Sequence, residues 1–242
     1  MNKILLYLIH KFQANTFLIY QQMRKTDQLD SKDINYIAEI YKNSKIEFID
    51  IYNSNYPIRL LKEDYPPFGF FAKGNLELLD SKYDKIYLIH EKEDPIIEEY
   101  IHNNLPIIAK NSVLVTNQFA SEKKIIKEFQ KLGGKIVYIL KSGLDNVTND
   151  IDSNELYLSL YPLFTHPKRQ YFKESNMFAA ALCDQVLIFS TIAQTKADHL
   201  ISCFLAQGID INCFPGTKLE DYNNTLIQNG ANLVTKVDAS RL

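Results

Sequence analysis

Two adjacent cations stand beside two aromatic residues in the second half of the chain. Lys168 and Arg169 come just before Tyr171 and Phe172. Neighbouring cations can neutralise a phosphate, and an aromatic ring can stack on a base, which is how single-stranded nucleic acid is commonly held. An ordinary exposed basic loop would have the same composition. The pattern therefore gives two hypotheses, a nucleic-acid contact and a solvated loop.

Lysines also recur in the middle of the chain. Lys123, Lys127 and Lys131 are four residues apart and would share one face of a helix. Such a face can follow a nucleic-acid backbone, but Glu122 and Glu128 dilute its charge. We therefore favour a solvated helix face for this segment.

A histidine and a cysteine have the spacing of two metal ligands on one helix face. His199 and Cys203 are four residues apart, Asp198 is adjacent, and Cys213 is close in sequence. A second ligand pair with a standard spacing is missing from the sequence. We therefore favour a core histidine and a buried thiol, and we predict neither a metal nor a cofactor.

The motifs of common catalytic sites are missing from the sequence. It has no Gly-x-Ser-x-Gly elbow, no Walker loop and no Gly-x-Gly-x-x-Gly turn. A fold alone does not define a function, so an α/β pattern adds no catalytic evidence. We predict that the chain has no catalytic residues and is not an enzyme.

Alternating strand and helix patterns carry these residues from Lys85 onward. Short apolar runs predict buried parallel strands, and Asp94-Pro95 predicts the start of a helix. The predicted strands are 46–51, 86–89, 113–116, 136–140, 156–161, 186–189, 209–213 and 232–237. The further predicted helices are 119–131, 173–182, 195–207 and 223–229. This alternation predicts an α/β fold with a Rossmann-like, doubly wound, mostly parallel sheet from residue 85 to 237.

The first 50 residues have a different pattern. Apolar residues recur at helical spacing in 4–20 and 34–41, which predicts a small helical N-terminal extension. The segment 52–80 contains many turn signals and is predicted to be irregular. No apolar run is long enough to span a bilayer, so we expect no membrane association. The predicted division is a helical region at 1–50 and a Rossmann-like domain at 51–242.

Composition limits how the chain can hold nucleic acid. The 242 residues carry a formal net charge of −2, so any DNA contact must come from a local patch. Arginine, the better bidentate phosphate ligand, occurs only at 24, 59, 169 and 241. Three cysteines in apolar surroundings favour a reduced compartment, and we predict a cytoplasmic protein.

A series of short motifs runs along the chain in a recognisable order. The motifs are Tyr56-Pro57, Pro66-Pro67, Lys73-Gly74-Asn75, Gly133-Gly134-Lys135, Ser142-Gly143-Leu144-Asp145, Ser159-Leu160-Tyr161-Pro162, Phe214-Pro215-Gly216 and Asn224 to Ala231. Each motif is weak by itself. Their order and spacing from about residue 50 to 237 resemble the DprA/Smf family of single-stranded DNA-binding proteins.

The resemblance implies a function and a set of site residues. Members of the family bind single-stranded DNA as homodimers and assist DNA uptake, transformation and recombination by helping to load the RecA recombinase. We therefore expect single-stranded DNA, RecA and a second copy of the chain as partners. The residues expected to bind nucleic acid are Lys92, Lys168, Arg169, Asn176, Lys196, Thr116 and Asn117.

The departures from the family pattern predict weakened binding. His90, Glu91 and Lys92 stand where the family has a Gly-Ser-Arg loop after the first strand. Without glycine the backbone cannot closely approach a phosphate there, and Glu91 would repel one. Lys92 is either a surviving charge for DNA or a solvated lysine paired with Glu91 or Glu93. The family's two glycines after the second strand are also replaced.

Two alternative functions stay open at this point. The missing glycines and arginines favour a degenerate scaffold or interaction protein that kept the fold and lost its ligand. The turn Phe214-Pro215-Gly216-Thr217 is similar to the nucleotide loop of the related LOG-type phosphoribohydrolases, but the second glycine and a catalytic glutamate are missing.

Overall fold

The strands form one sheet that extends through most of the chain. The computed structural model describes residues 2–25 and 29–238. The strands within these ranges are β1 (Glu47–Asp50), β2 (Gly69–Gly74), β3 (Asp84–His90), β4 (Ser112–Thr116), β5 (Lys135–Leu140), β6 (Glu155–Ser159), β7 (Gln185–Ser190), β8 (Ile211–Cys213) and β9 (Asn232–Leu233). Their order in the sheet is β1-β2-β6-β5-β4-β3-β7-β8-β9.

Helices lie on both sides of this sheet. Those in the described ranges are α1 (Lys3–Lys11), α2 (Thr16–Met23), α3 (Ser31–Asn43), α4 (Pro95–Asn111), α5 (Lys123–Lys131), α6 (Tyr171–Leu182), α7 (Lys196–Ala206) and α8 (Tyr222–Gln228). None of these helices is both long and apolar enough to cross a membrane.

The strands from β3 to β9 are all parallel to one another. β3 lies between β4 and β7, with Tyr87 opposite Val115 on one side and Val186 on the other. The chain therefore winds outward in both directions from β3. The predicted doubly wound sheet between residues 85 and 237 is confirmed, and its topological switch point lies between β3 and β7.

One part of the fold differs from the prediction. The segment 52–80, predicted to be irregular, contains β2, and β2 pairs antiparallel with both β1 and β6. The buried run from Phe70 to Ala72 is short and lies between two glycines, so its strand pattern was hidden among turn signals. Gly74 has φ 119°, and a Cβ there would lie 2.5 Å from the carbonyl oxygen of Glu155. The close approach of β6 thus requires glycine at this position.

The N-terminal extension is helical, as predicted, but the run 4–20 is not one helix. Gln13 and Ala14 have φ 50° and 61°, which ends α1, and the side chain of Asn15 caps α2. α1 and α3 pack against β1 and β2 through a cluster that includes Leu6 and Tyr41. Since β1 ends at Asp50 inside the sheet, a division of the chain between residues 50 and 51 stays a prediction.

The sheet is covered on both faces. α6 and α7 bury Phe178 and Phe204 on one face, and α5 buries Phe129 on the other. Each of these rings is fully buried, which stabilises the fold by roughly 1.5–3 kcal/mol per ring. Because both faces are covered, the loops at the strand ends are the places where polar side chains can meet a ligand.

Candidate nucleic-acid interface

The loops after β3, β4, β5 and β7 lie along the carboxyl edge of the sheet. Ligands of open α/β sheets bind at this edge, outside the switch point. Asn117 follows β4, Lys141 follows β5, and Thr191 follows β7. The first residues of α6 and α7 reach the same edge, because each helix begins after a strand has ended there.

An aromatic–lysine cluster, formed by Phe119, Lys141, Phe172 and Lys196, lies on this edge. The rings of Phe119 and Phe172 are nearly parallel, with centroids 6.4 Å apart and an interplanar angle of 6°. The Lys141 ammonium lies 4.9 Å from the first centroid and 5.2 Å from the second. The Lys196 ammonium lies 4.9 Å from the Phe172 centroid. All three contacts are within the range of cation–π attraction.

The Lys141 ammonium of this cluster has a shifted pKa. The pKa of Lys141 is lowered to about 8, chiefly by burial; the charge of Glu122 opposes the shift and that of Lys196 adds to it. The Lys141 ammonium also donates a hydrogen bond to the backbone oxygen of Asn117. Two neighbouring cations in half-buried aromatic surroundings favour an anion, since an anion would relieve their repulsion.

Three of the residues predicted to bind nucleic acid adjoin this cluster in the interior. Asn117 and Asn176 are 0% and 3% exposed, and the Asn117 amide donates to Asn176 Oδ1 at 2.9 Å. Thr116 is equally buried and donates to Glu122 Oε2 at 2.5 Å. These contacts position the loop after β4. Direct DNA contacts by Thr116, Asn117 and Asn176 stay a prediction.

The pair His199 and Cys203 belongs to the same polar network. His199 Nδ1 lies 3.1 Å from Asn176 Nδ2 and 3.7 Å from Cys203 Sγ. Burial lowers the pKa of His199 and raises the pKa of Cys203 to about 11. As whole residues His199 is exposed and Cys203 is only half-buried, so the predicted core histidine and buried thiol are wrong. In the described part of the chain no three histidine, cysteine or acidic side chains lie together as a metal site would require.

Lys168 and Arg169 lie in the exposed loop before α6. The Lys168 ammonium is 5.7 Å from the ring centroid of Tyr171. That ring is only 2% exposed and stacks on Tyr161 with centroids 3.7 Å apart, so the expectation that Tyr171 stacks on a base is wrong. Phe172 is half-buried, and its stacking on a base stays a prediction.

Lys92 forms an ion pair that the sequence did not indicate. Its ammonium donates to Asp221 Oδ1 at 2.6 Å, whereas Glu91 and Glu93 were the expected partners. Asp221 Oδ2 also accepts hydrogen bonds from the backbone N–H groups of Thr217 and Lys218. The Lys92 ammonium first, and then the Lys218 backbone N–H and the Thr217 hydroxyl, lower the pKa of Asp221 to about 2. The positive charge of Lys92 is therefore compensated within the chain.

We expect Asp221→Asn to lower the free energy of unfolding at pH 7 by about 1 kcal/mol. A shift of two pKa units corresponds to roughly 2.7 kcal/mol, and solvent screening of a partly exposed pair removes much of it. The folded-state pKa is depressed, so the contribution is present above about pH 4 and is lost as the pH falls towards 2. Urea unfolding between pH 2 and 7 measures it. The exposed neighbour Glu220→Gln is the control, and an equal loss there would contradict the assignment.

The fold defines a Rossmann-like α/β protein. Aromatic and basic side chains lie at the carboxyl edge of its sheet, next to the switch point. A sequence model of the DNA recombination-mediator protein A family matches residues 109–241, which is more than half of the chain. The chain therefore belongs to this family, and the predicted family resemblance is confirmed.

Individual relatives agree with this assignment. The chain is 24% identical over 214 residues to DNA processing protein DprA of Bacillus subtilis (strain 168), covering 82% of this chain and 71% of the relative. Its fold matches the X-ray structure of DprA from Streptococcus pneumoniae with a TM-score of 0.70 and 21% identity, covering 97% and 93% of the two chains. It also matches DNA processing protein A from Helicobacter pylori, studied for its single-stranded DNA binding mode, with a TM-score of 0.64, 18% identity, and coverage of 81% and 93%.

Proposed function

We propose that this chain is a single-stranded DNA-binding protein of the DprA type, without catalytic activity. The observation that carries the proposal is the aromatic–lysine cluster at the carboxyl edge of the sheet. Aromatic faces stack on bases of any sequence, and lysines beside them neutralise the backbone. With a net charge of −2 the chain has no general attraction for DNA, so binding depends on such a local patch.

The proposed binding is weak. The available cations are Lys141, Lys196, Lys168 and Arg169, since Lys92 is paired with Asp221. Two to four phosphate contacts would give a slope of log K against log salt of about −1.5 to −3 on single strands. Stacking on Phe119 and Phe172 would add about 1–3 kcal/mol per base.

Further parts of the proposal come from the family relationship. The Helicobacter pylori protein is described by its single-stranded DNA binding mode, which supports the choice of ligand. We extend the proposal to assistance in RecA loading during DNA uptake and recombination, and to a homodimer in which residues 51–242 form the DNA-binding domain. Light scattering at micromolar concentration tests the dimer, and a strict monomer would contradict it.

A degenerate scaffold is the second candidate function. It is favoured by the polar groups of Lys92, Asn117 and Asn176, which bind one another or other parts of the chain. The phosphoribohydrolase alternative gains no such support, because Thr217 is bound by Asp221 and Asp94. Steady turnover of a nucleoside monophosphate, abolished by a change in the turn 214–217, would instead favour an enzyme.

We expect Lys168→Ala/Arg169→Ala to weaken oligo-dT binding and to make its salt slope shallower by about 1.4, because two phosphate contacts are lost. Fluorescence anisotropy over a salt series measures both quantities. The charge-matched control is Lys110→Ala/Lys131→Ala, since both lysines end helices that lead into the opposite edge of the sheet. Undetectable binding of the unmodified chain at the lowest salt would favour the scaffold. Strong binding unchanged in the first variant would place the DNA elsewhere.

A further inference from the structure

The carboxylate of Glu91 is bound by three donors after β7. Its Oε2 accepts hydrogen bonds from the Thr191 hydroxyl at 2.8 Å, the Ile192 backbone N–H at 3.0 Å and the Thr195 hydroxyl at 2.9 Å. All three donors converge on one oxygen. Hydrogen bonds to an ionised oxygen are about twice as strong as those between neutral groups, so this set is a receptor for an anionic oxygen.

The receptor is held in place by its own chain segments. Thr195 caps α7 and accepts a hydrogen bond from the Ala197 backbone N–H. The proton of its hydroxyl has two acceptors, Glu91 Oε2 at 2.9 Å and the Ile192 backbone oxygen at 3.1 Å, and Glu91 is the nearer one. The loop that carries Glu91 is fixed from the other side, because the Ser190 hydroxyl accepts from the N–H groups of Glu91 and Lys92. Two loops at the switch point thus meet through Glu91.

Glu91 also borders a cleft that a ligand can enter. The cleft has a volume of about 360 Å³ and is lined by Glu91 and Glu93 together with Lys123, Lys124 and Lys127 of α5. Lys124 is paired with Glu98 at 2.6 Å. An anion entering this cleft would meet lysines on α5 and the Glu91 carboxylate. The three donors at the end of β7 do not line the cleft themselves, and Glu91 is the residue that joins them to it.

We propose that Glu91 is an internal ligand that occupies an anion-binding position at the switch point and so excludes a DNA phosphate from it. A glutamate carboxylate and a phosphodiester carry the same single charge, and the glutamate is tethered, so it competes at a high effective concentration. This inference rests on the proposed function. It makes Glu91 the residue that determines the path of the DNA strand along the protein. DNA then follows the aromatic–lysine cluster, while the end of β3 stays without a phosphate contact.

The first test uses inorganic phosphate and does not depend on DNA. Thermal unfolding of the full-length chain is measured in sodium phosphate and in sodium chloride of equal ionic strength. Glu91→Ala empties the position, and we expect phosphate at about ten times its dissociation constant to raise the Tm of this variant by roughly 3–6 °C. Glu91→Ser is the second variant, since its hydroxyl keeps a polar group in the pocket if alanine prevents folding. The unmodified chain should show no shift.

The control is Glu93→Ala, which removes the same charge from the same cleft without emptying the receptor. An equal phosphate shift in this control, or none in either Glu91 variant, would overturn the proposal and leave Glu91 as a structural tie between two loops. In the second test, Glu91→Ala should steepen the oligo-dT salt slope by about 0.7, one phosphate contact. If no variant binds DNA but phosphate still stabilises Glu91→Ala, the internal ligand stands and the proposed function fails.

Discussion

Replacing Phe119 and Phe172 together by alanine is expected to weaken oligo-dT binding by about 100-fold. Each stacked base contributes about 1–3 kcal/mol, and 1.4 kcal/mol corresponds to a factor of ten, so two lost stacking faces give two factors of ten. The rings also hold the Lys141 ammonium, at 4.9 and 5.2 Å, so the double variant releases a cation that is now positioned at the edge. Each single variant should lose about tenfold.

Fluorescence anisotropy with a labelled oligo-dT measures this loss at fixed salt. Tyr36→Ala is the matched control, because Tyr36 is 68% exposed and lies on α3, away from the carboxyl edge. Urea unfolding of each variant checks that the fold survives, since both phenylalanines are only half-buried. Unchanged affinity in the folded double variant would show that the cluster does not hold the bases.

The sequence predicted the parallel half of the sheet because its signals there are local. Each strand from β3 to β8 is a short apolar run, and Gly133 and Gly208 mark helix ends with φ 70° and 76°. β2 lacked such signals, because its three buried residues lie in a segment crowded with proline and glycine. Its identity as a strand depends on pairing with β6, more than eighty residues further along the chain.

The candidate site was less predictable, since its contacts join distant parts of the chain. No sequence pattern pointed to Lys141 as a site residue, because it lies in a polar loop. Its place in the candidate site comes from its contacts with the rings of Phe119 and Phe172, which are distant in sequence. Asp221 is 129 residues from Lys92, and the donors that bind Glu91 are about one hundred residues from it. A repulsive role for Glu91 was predicted from the residue type, but its hydrogen-bond partners required the fold.

Glu122 is another residue whose role could not be predicted from the sequence, and its replacement is expected to have a large effect on stability. The sequence placed it among the solvated charges of a basic helix face, which is wrong, since Glu122 is 5% exposed. Its carboxylate accepts hydrogen bonds from the Tyr87 hydroxyl at 2.5 Å, the Thr116 hydroxyl at 2.5 Å and the Phe119 backbone N–H at 3.0 Å. It thereby fixes the loop after β4 that carries Phe119 into the aromatic–lysine cluster.

Glu122→Ala is expected to lower the free energy of unfolding by about 2–4 kcal/mol. The substitution leaves three buried donors without their acceptor and opens a cavity, and each unsatisfied buried group costs roughly 1–3 kcal/mol before neighbouring groups rearrange. Urea unfolding at pH 7 measures the loss. Glu128→Ala is the control, because Glu128 lies on α5, which begins directly after Glu122, and forms an ion pair at the surface with Lys131. A loss as small as in the control would contradict the buried network.

The pH dependence of Glu122→Gln separates the charge of this residue from its packing. Burial raises the pKa of Glu122 in the folded chain, although its three hydrogen bonds oppose the shift. As the pH rises past about 4.3 the unfolded chain ionises first, so the stability contributed by Glu122 falls from that pH until the folded-state pKa is passed. Glutamine does not titrate, so we expect the difference in stability between Glu122→Gln and the unmodified chain to shift in favour of the variant between pH 4 and 7. Burial lowers the pKa of His90, so the stability that His90 contributes rises with pH, opposite to the trend of Glu122. This contribution is the same in both proteins and cancels when their stabilities are subtracted. A difference that stays constant across this range would mean that Glu122 is ionised in the folded chain as readily as in the unfolded one.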